Sequence, residues 1–150
     1  MHQRSPSPRK LRKHRPRAVI DTSVLVAGIS GFRRPFISRR IPSADALRAW
    51  VVRNNFVWLI TDDIMQEYKE VLTRLRVRPN LIGKAINLIR ERAEEIKIVY
   101  SVQISLDPKD DPFCICSEQG NAEFIVTLNP KDFPQDRLKA KVMPPEQFVT

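Results

Sequence analysis

The 150-residue chain has no long hydrophobic run; nothing approaches the ~20 consecutive apolar residues that a membrane span needs. A bilayer-spanning protein is therefore not expected. It has two cysteines, Cys114 and Cys116, too close together to staple a fold. A disulfide framework is excluded, and a reducing cytoplasm is the default setting. Histidine is almost missing: His2 and His14 both stand near the amino terminus, so no Ser–His–Asp or Cys–His triad competes for the chemistry. The basic amino terminus has no apolar segment behind it, so a secretory signal is not expected. No internal repeat and no inter-domain linker is present, and the length suits one domain with a proper core.

Acid is missing from one place. Residues 1–17 hold seven Lys or Arg (Arg4, Arg9, Lys10, Arg12, Lys13, Arg15, Arg17) and no Asp or Glu. The whole chain carries +9, but the remainder holds 19 basic against 17 acidic residues, a net of only +2. The basicity is thus mainly a tail, and residues 1–16, rich in Arg, Ser and Pro, are expected to be disordered. A second cluster, Arg33, Arg34, Arg39 and Arg40, falls in a Pro-containing loop over 31–42. Such patches attract nucleic acid or anionic surfaces, and equally serve as plain solvated extensions.

What is present is an alternation of short apolar strands and amphipathic helices. Residues 17–21 read as a strand, 22–30 as a helix ending near Gly31. Ser43 is a candidate N-cap for a helix to Asn54, with Leu47, Trp50 and Val51 on one face. Phe56–Ile60 is a second strand. Thr61 or Asp62 caps a helix to about Arg76 whose stripe is Ile64, Tyr68, Val71, Leu72 and Leu75. Pro79-Asn80 opens a further helix, with Ile82, Ala85, Ile86, Ile89 and Ala93 inward. Ile96–Val99 is a third strand. The polar run 107–112 precedes a helix to about Gln119, and Gly120-Asn121 end it. Phe124–Val126 and Lys141–Met143 supply the fourth and fifth strands, and a last helical turn follows Pro144-Pro145. This alternation predicts an α/β fold, a mainly parallel sheet of four to five strands with helices on both faces.

In such a sheet the strands' carboxyl ends share one edge, where sites are built. Asp21 ends the first strand. At ~100° per residue, Glu67 is the acid of its helix best aimed at the sheet, while Asp63 and Glu70 turn toward solvent. Asp111 opens a helix at the same edge, and Thr127-Leu128-Asn129 leaves the fourth strand there, with Asp132 three residues on. Alone, Asp21 and Asp111 each read as helix caps and Glu67 as a border acid. Together they point to a divalent cation, Mg²⁺ or Mn²⁺, since converging carboxylates repel unless a cation joins them. Cys114 and Cys116 read as small buried residues. An aspartyl-phosphate site at Asp21 is disfavoured, because Ser23 stands where a second acid is wanted.

The stretches Val19-Ile20-Asp21-Thr22-Ser23-Val24-Leu25-Val26, Ile64-Met65-Gln66-Glu67-Tyr68, Asp107-Pro108-Lys109-Asp110-Asp111-Pro112-Phe113 and Ile125-Val126-Thr127-Leu128-Asn129-Pro130-Lys131-Asp132-Phe133, in this order, resemble the PIN domain. The likeness is to its branch of toxins from type II toxin–antitoxin pairs, and spans about residues 18–149. It implies a three-layer α/β/α sandwich over residues 17–150 and a Mg²⁺- or Mn²⁺-dependent endoribonuclease that hydrolyses RNA phosphodiesters. It further implies Asp21, Glu67 and Asp111 as catalytic metal ligands, supported by Ser23, Thr127, Asn129 and Asp132. Arg33, Arg34, Arg39 and Arg40 are then RNA contacts, and an antitoxin and a homodimer are expected partners. One departure stands out. The family often has Thr-Gly-Asp where this chain has Thr127-Leu128-Asn129, so an amide replaces the fourth acid. That substitution motivates the alternative: a catalytically weakened PIN fold that binds RNA or protein.

Overall fold

The computed structural model describes residues 14–32 and 41–149. The segments 1–13 and 33–40, and with them most of the basic tail and all four arginines of the loop cluster, lie outside the described residues.

Five parallel strands form one sheet in the order β3-β2-β1-β4-β5. They are β1 (Arg17–Ile20), β2 (Val57–Ile60), β3 (Glu94–Glu95), β4 (Phe124–Val126) and β5 (Lys141–Met143). The helices are α1 (Thr22–Phe32), α2 (Pro42–Arg48), α3 (Asp62–Arg74), α4 (Pro79–Arg92), α5 (Asp111–Gln119) and α6 (Pro145–Phe148). Helices cover both sheet faces, giving the expected three-layer sandwich. None among the described residues is long and apolar enough to cross a membrane.

The order records how the chain runs. It builds outward from β1 through β2 to β3, returns through α5, and lays β4 against the free side of β1. The direction of winding reverses between β1 and β4, and there the ends of neighbouring strands open a crevice. Ala18, Val19 and Ile20 are wholly buried, as a central parallel strand covered on both faces requires.

Three polar anchors fix the frame. Thr61 caps α3, its hydroxyl accepting from the Ile64 N–H at 3.1 Å. Arg17 spans β2 to grip Glu94 with both arms of its guanidinium, at 2.9 Å each, and also donates to the Gly120 carbonyl. The pairing lowers the Glu94 carboxyl and raises Arg17 from their ordinary pKa values, chiefly through that hydrogen bond. The buried Tyr68 hydroxyl donates to the Ile20 carbonyl at 2.5 Å and accepts from Trp58 Nε1 at 3.3 Å. Burial pushes its pKa well up, so it stays a neutral donor at the exit of β1.

Four local expectations need correction. The third strand is Glu94–Glu95, not Ile96–Val99. β2 ends at Ile60, so after the Ile96 N–H reaches the Ile60 carbonyl no partner remains and the chain runs on irregularly. The segment after Pro42 is an α-helix only to Arg48; Ala49–Arg53 widens into a π turn that stops at Asn54, φ 51°. Ile41, not Ser43, occupies the cap, since Pro42 takes the first helical position. The helix from Asp62 stops at Arg74, and Arg76 turns left-handed at φ 62°, leaving Leu75 54% exposed.

Candidate functional site

Asp21 sits directly after β1, its N–H still paired to the Val126 carbonyl at 2.9 Å. The side chain is only 9% exposed, and one carboxylate oxygen is heavily engaged. Its Oδ2 accepts from the Ser23 hydroxyl at 2.7 Å and from the Thr127 hydroxyl at 2.8 Å. Each hydroxyl in turn accepts a backbone N–H, Ser23 from Leu128 and Thr127 from Asn129, both at 3.1 Å. This net ties the starts of the segments after β1 and β4 together.

Around Asp21 opens a cleft of about 490 Å³ lined by Thr22, Ser23, Glu67, Asp107, Lys109, Asp110 and Asp132, among others. Asp21, Glu67 and Asp132 thus meet at one edge. Asp111 does not join them. Its Oδ1 accepts the N–H groups of Ile104 at 3.0 Å and Ser105 at 2.6 Å, and it lines a neighbouring cleft with Thr61, Asp63 and Pro108. Asp110 stands in the acidic cleft instead. One residue along a forming helix turns a side chain by ~100°, enough to exchange one cleft for the other. The motif Asp107-x-x-Asp110 was the available signal: two loop acids three apart, just before a helix whose cap is Asp110. Arg33, Arg34, Arg39 and Arg40 lie outside the described residues.

Burial, then the neighbouring charges of Asp21, Asp107, Asp132 and Asp111, raise the Asp110 carboxyl from 3.8 to about 6. Among the described residues no ion pair joins Glu67, Asp110 or Asp132 to a cation, although Lys109 lines the same cleft. Among the described residues the cleft thus gathers five acids against one lysine, a negative edge.

The donor set does not make a metal centre. Among the described residues no group of three or more His, Cys, Asp or Glu could hold a metal ion. The physical reasons are visible: Asp111 is spent on two backbone N–H groups, Asp21 Oδ2 on two hydroxyls, and residue 129 is an amide. The expected Mg²⁺ or Mn²⁺ cofactor is corrected on this ground. With it falls the reading of a metal-dependent ribonuclease, since an acid-lined cleft without a divalent ion repels a phosphodiester.

A second feature lies across the fold. Leu25 and Ile29 of α1, Leu47 of α2, Trp50 and Val51 of the π turn, Trp58 of β2, and Leu81, Ala85, Leu88 and Ile89 of α4 line an apolar groove of about 400 Å³. Lys84 is its single charged lining residue among the described residues. Arg92 pins one end: its guanidinium lies 4.5 Å from the Trp50 ring centre and donates to the carbonyls of Trp50 at 2.7 Å and Val51 at 3.1 Å.

The family model for the PIN domain matches residues 17–131. The chain belongs to the PIN-domain family. No curated protein matches its sequence. Among solved structures, the PIN fold here is similar to a chain from "VapBC2 from Rickettsia felis bound to a DNA fragment from their promoter". The TM-score is 0.55 at 12% identity, covering 85% of this chain and 96% of that one, a likeness of fold alone.

Proposed function

We propose that this PIN domain is a protein-binding module, the folded half of a toxin–antitoxin-type pair, whose partner lays the apolar face of a short helix into the groove between α2 and α4. The groove carries the reading. It is almost wholly apolar, lined by the buried Trp58, with Arg92 fixing the Trp50–Val51 turn at one end. An amphipathic helix of two to three turns fits such a trough, with an acid at its rim facing Lys84. A surface this apolar favours a protein partner over RNA. So does the acidic edge, which disfavours phosphate.

The test is co-expression with the product of the adjacent reading frame, followed by calorimetry on the separated proteins. A one-to-one complex is expected, weakened by about tenfold or more in Leu88→Lys, which places a charge in the groove. Equal affinity of the variant overturns the groove assignment. Tight binding of a labelled single-stranded RNA that displaces the protein partner overturns the module reading in favour of RNA.

A further inference from the structure

An open sheet has two edges, and the outward N–H and C=O groups of each can template a further strand unless something covers them. The two edges here differ. At β5 one side chain takes the outward positions: the Val142 N–H donates to Gln135 Oε1, and Gln135 Nε2 donates to the Ala140 carbonyl, both at 2.7 Å. Gln135 thus stands where a sixth strand would pair. Beyond β3 the same device recurs, but further along the chain. Gln119, the last residue of α5, accepts from the Val99 N–H at 2.8 Å and donates to the Tyr100 carbonyl at 2.6 Å. The stretch before Val99 is left uncovered.

Strand phase identifies the groups concerned. The Ile96 N–H reaches the Ile60 carbonyl at 2.8 Å, and Glu95 lies beside Ile60 in register. Ile96 therefore turns its backbone toward β2, and the alternation turns Glu95 and Lys97 away from it. Among the described residues no hydrogen bond engages the N–H or C=O of Glu95 or Lys97 on that outer side. Both side chains are exposed, and neither forms an ion pair among the described residues. Two residues apart, they share one face of the strand. Of the nine exposed large apolar side chains among the described residues, five follow this edge: Ile98, Val99, Tyr100, Val102 and Leu106. That concentration marks this side of the molecule as a contact side.

We propose that the β3 edge pairs antiparallel with the same edge of a second copy of this chain, across a two-fold axis at Ile96, joining the two five-stranded sheets into one. Charge selects the register. An antiparallel pair joins outward residues that exchange both N–H···O bonds. An axis at Glu95 or at Lys97 sets that residue against itself, like charge on like. An axis at Ile98 calls on the Val99 N–H, which Gln119 already holds. The axis at Ile96 sets Glu95 opposite Lys97 of the second copy and Lys97 opposite its Glu95. Both uncovered residues are then satisfied, backbone and side chain together. A lysine on an edge commonly guards it against pairing; here the acid two residues away is its counterpart in the second copy. The contact is isologous and closes as a dimer. So short a seam makes the dimer weak and readily reversible. It shares no residue with the apolar groove and does not rest on the partner proposed there.

Sedimentation equilibrium of the full chain, over a concentration series at low salt, tests it. A reversible monomer–dimer equilibrium is expected. Lys97→Glu and Glu95→Lys should each weaken it by about tenfold or more, since each variant sets like charges directly across the strands. Mixing the two single variants should recover association as a heterodimer, and the double exchange Glu95→Lys/Lys97→Glu should recover it alone, whereas Leu88→Lys should leave it unchanged. Amide exchange at Glu95 and Lys97 should slow with rising concentration in the parent and not in either single variant. A chain that stays monomeric throughout the series overturns the proposal. So does a dimer indifferent to both single variants, or a loss that neither the mixture nor the double exchange recovers.

Discussion

Replacing Asp110 by Asn measures the repulsion stored at the acidic edge. The carboxyl is held at about 6 rather than 3.8, by burial first and neighbouring acids second. The folded state therefore keeps a proton that the unfolded chain releases, and stability falls as pH rises from 3.8 to about 6. Below that window the acid is neutral in both states and costs nothing. Above it the full penalty is present. A displacement of this size corresponds to about 3 kcal/mol for a shielded group. Asp110 is only partly buried, so solvent screening reduces this to about 1–1.5 kcal/mol. The anion also gains a few tenths of a kcal/mol, up to about 1, at the start of α5. Asn removes the charge, and no capping hydrogen bond is lost, since the Asp110 side chain makes none. Asp110→Asn should thus stabilise the protein by about 0.5–1 kcal/mol at pH 8 and leave it unchanged at pH 3.5. Urea unfolding followed by tryptophan fluorescence across that range is the assay. A variant less stable than the parent at pH 8, or a gain equal at both pH values, refutes the picture of a negative edge.

Two further outcomes follow from the same geometry. Tyr68→Phe leaves the Ile20 carbonyl and the Trp58 N–H without their buried partner; a loss of about 1–3 kcal/mol in urea unfolding is expected. Asp111→Ala frees the N–H groups of Ile104 and Ser105, and should cost about 1–2 kcal/mol. Amide exchange should quicken at Ile104 and Ser105 while Thr22 and Ser23 are unaffected, because Asp111 serves the neighbouring loop rather than the acidic cleft.

Much of the fold was legible because its signals are local and redundant. Apolar runs such as Val57–Ile60 and Phe124–Val126, each bounded by caps and turns, need a covered parallel sheet, and the structure has one. Failures came where a partner decides the outcome. Ile96–Val99 has strong strand character, yet β2 is too short to pair with it. The helix expected to reach Asn54 widens at Ala49 into a π turn, where Arg92, forty residues on, takes the carbonyls of Trp50 and Val51. In the cleft, Asp21 and Glu67 follow from strand ends and helix phase. The exchange of Asp111 for Asp110 does not, since one helical step at a loop junction is below what periodicity resolves. The groove was not legible at all. Its walls come from four separated stretches of chain whose apolar residues, taken singly, read as core.

Calorimetric titration of Mn²⁺ into the full chain at neutral pH bears most directly on the claim that this PIN fold keeps the acids but not a cation centre. Heats equal to those of dilution, the same for the parent and for Asp21→Asn, are the expected result. A one-to-one isotherm for the parent that disappears in Asp21→Asn would contradict it.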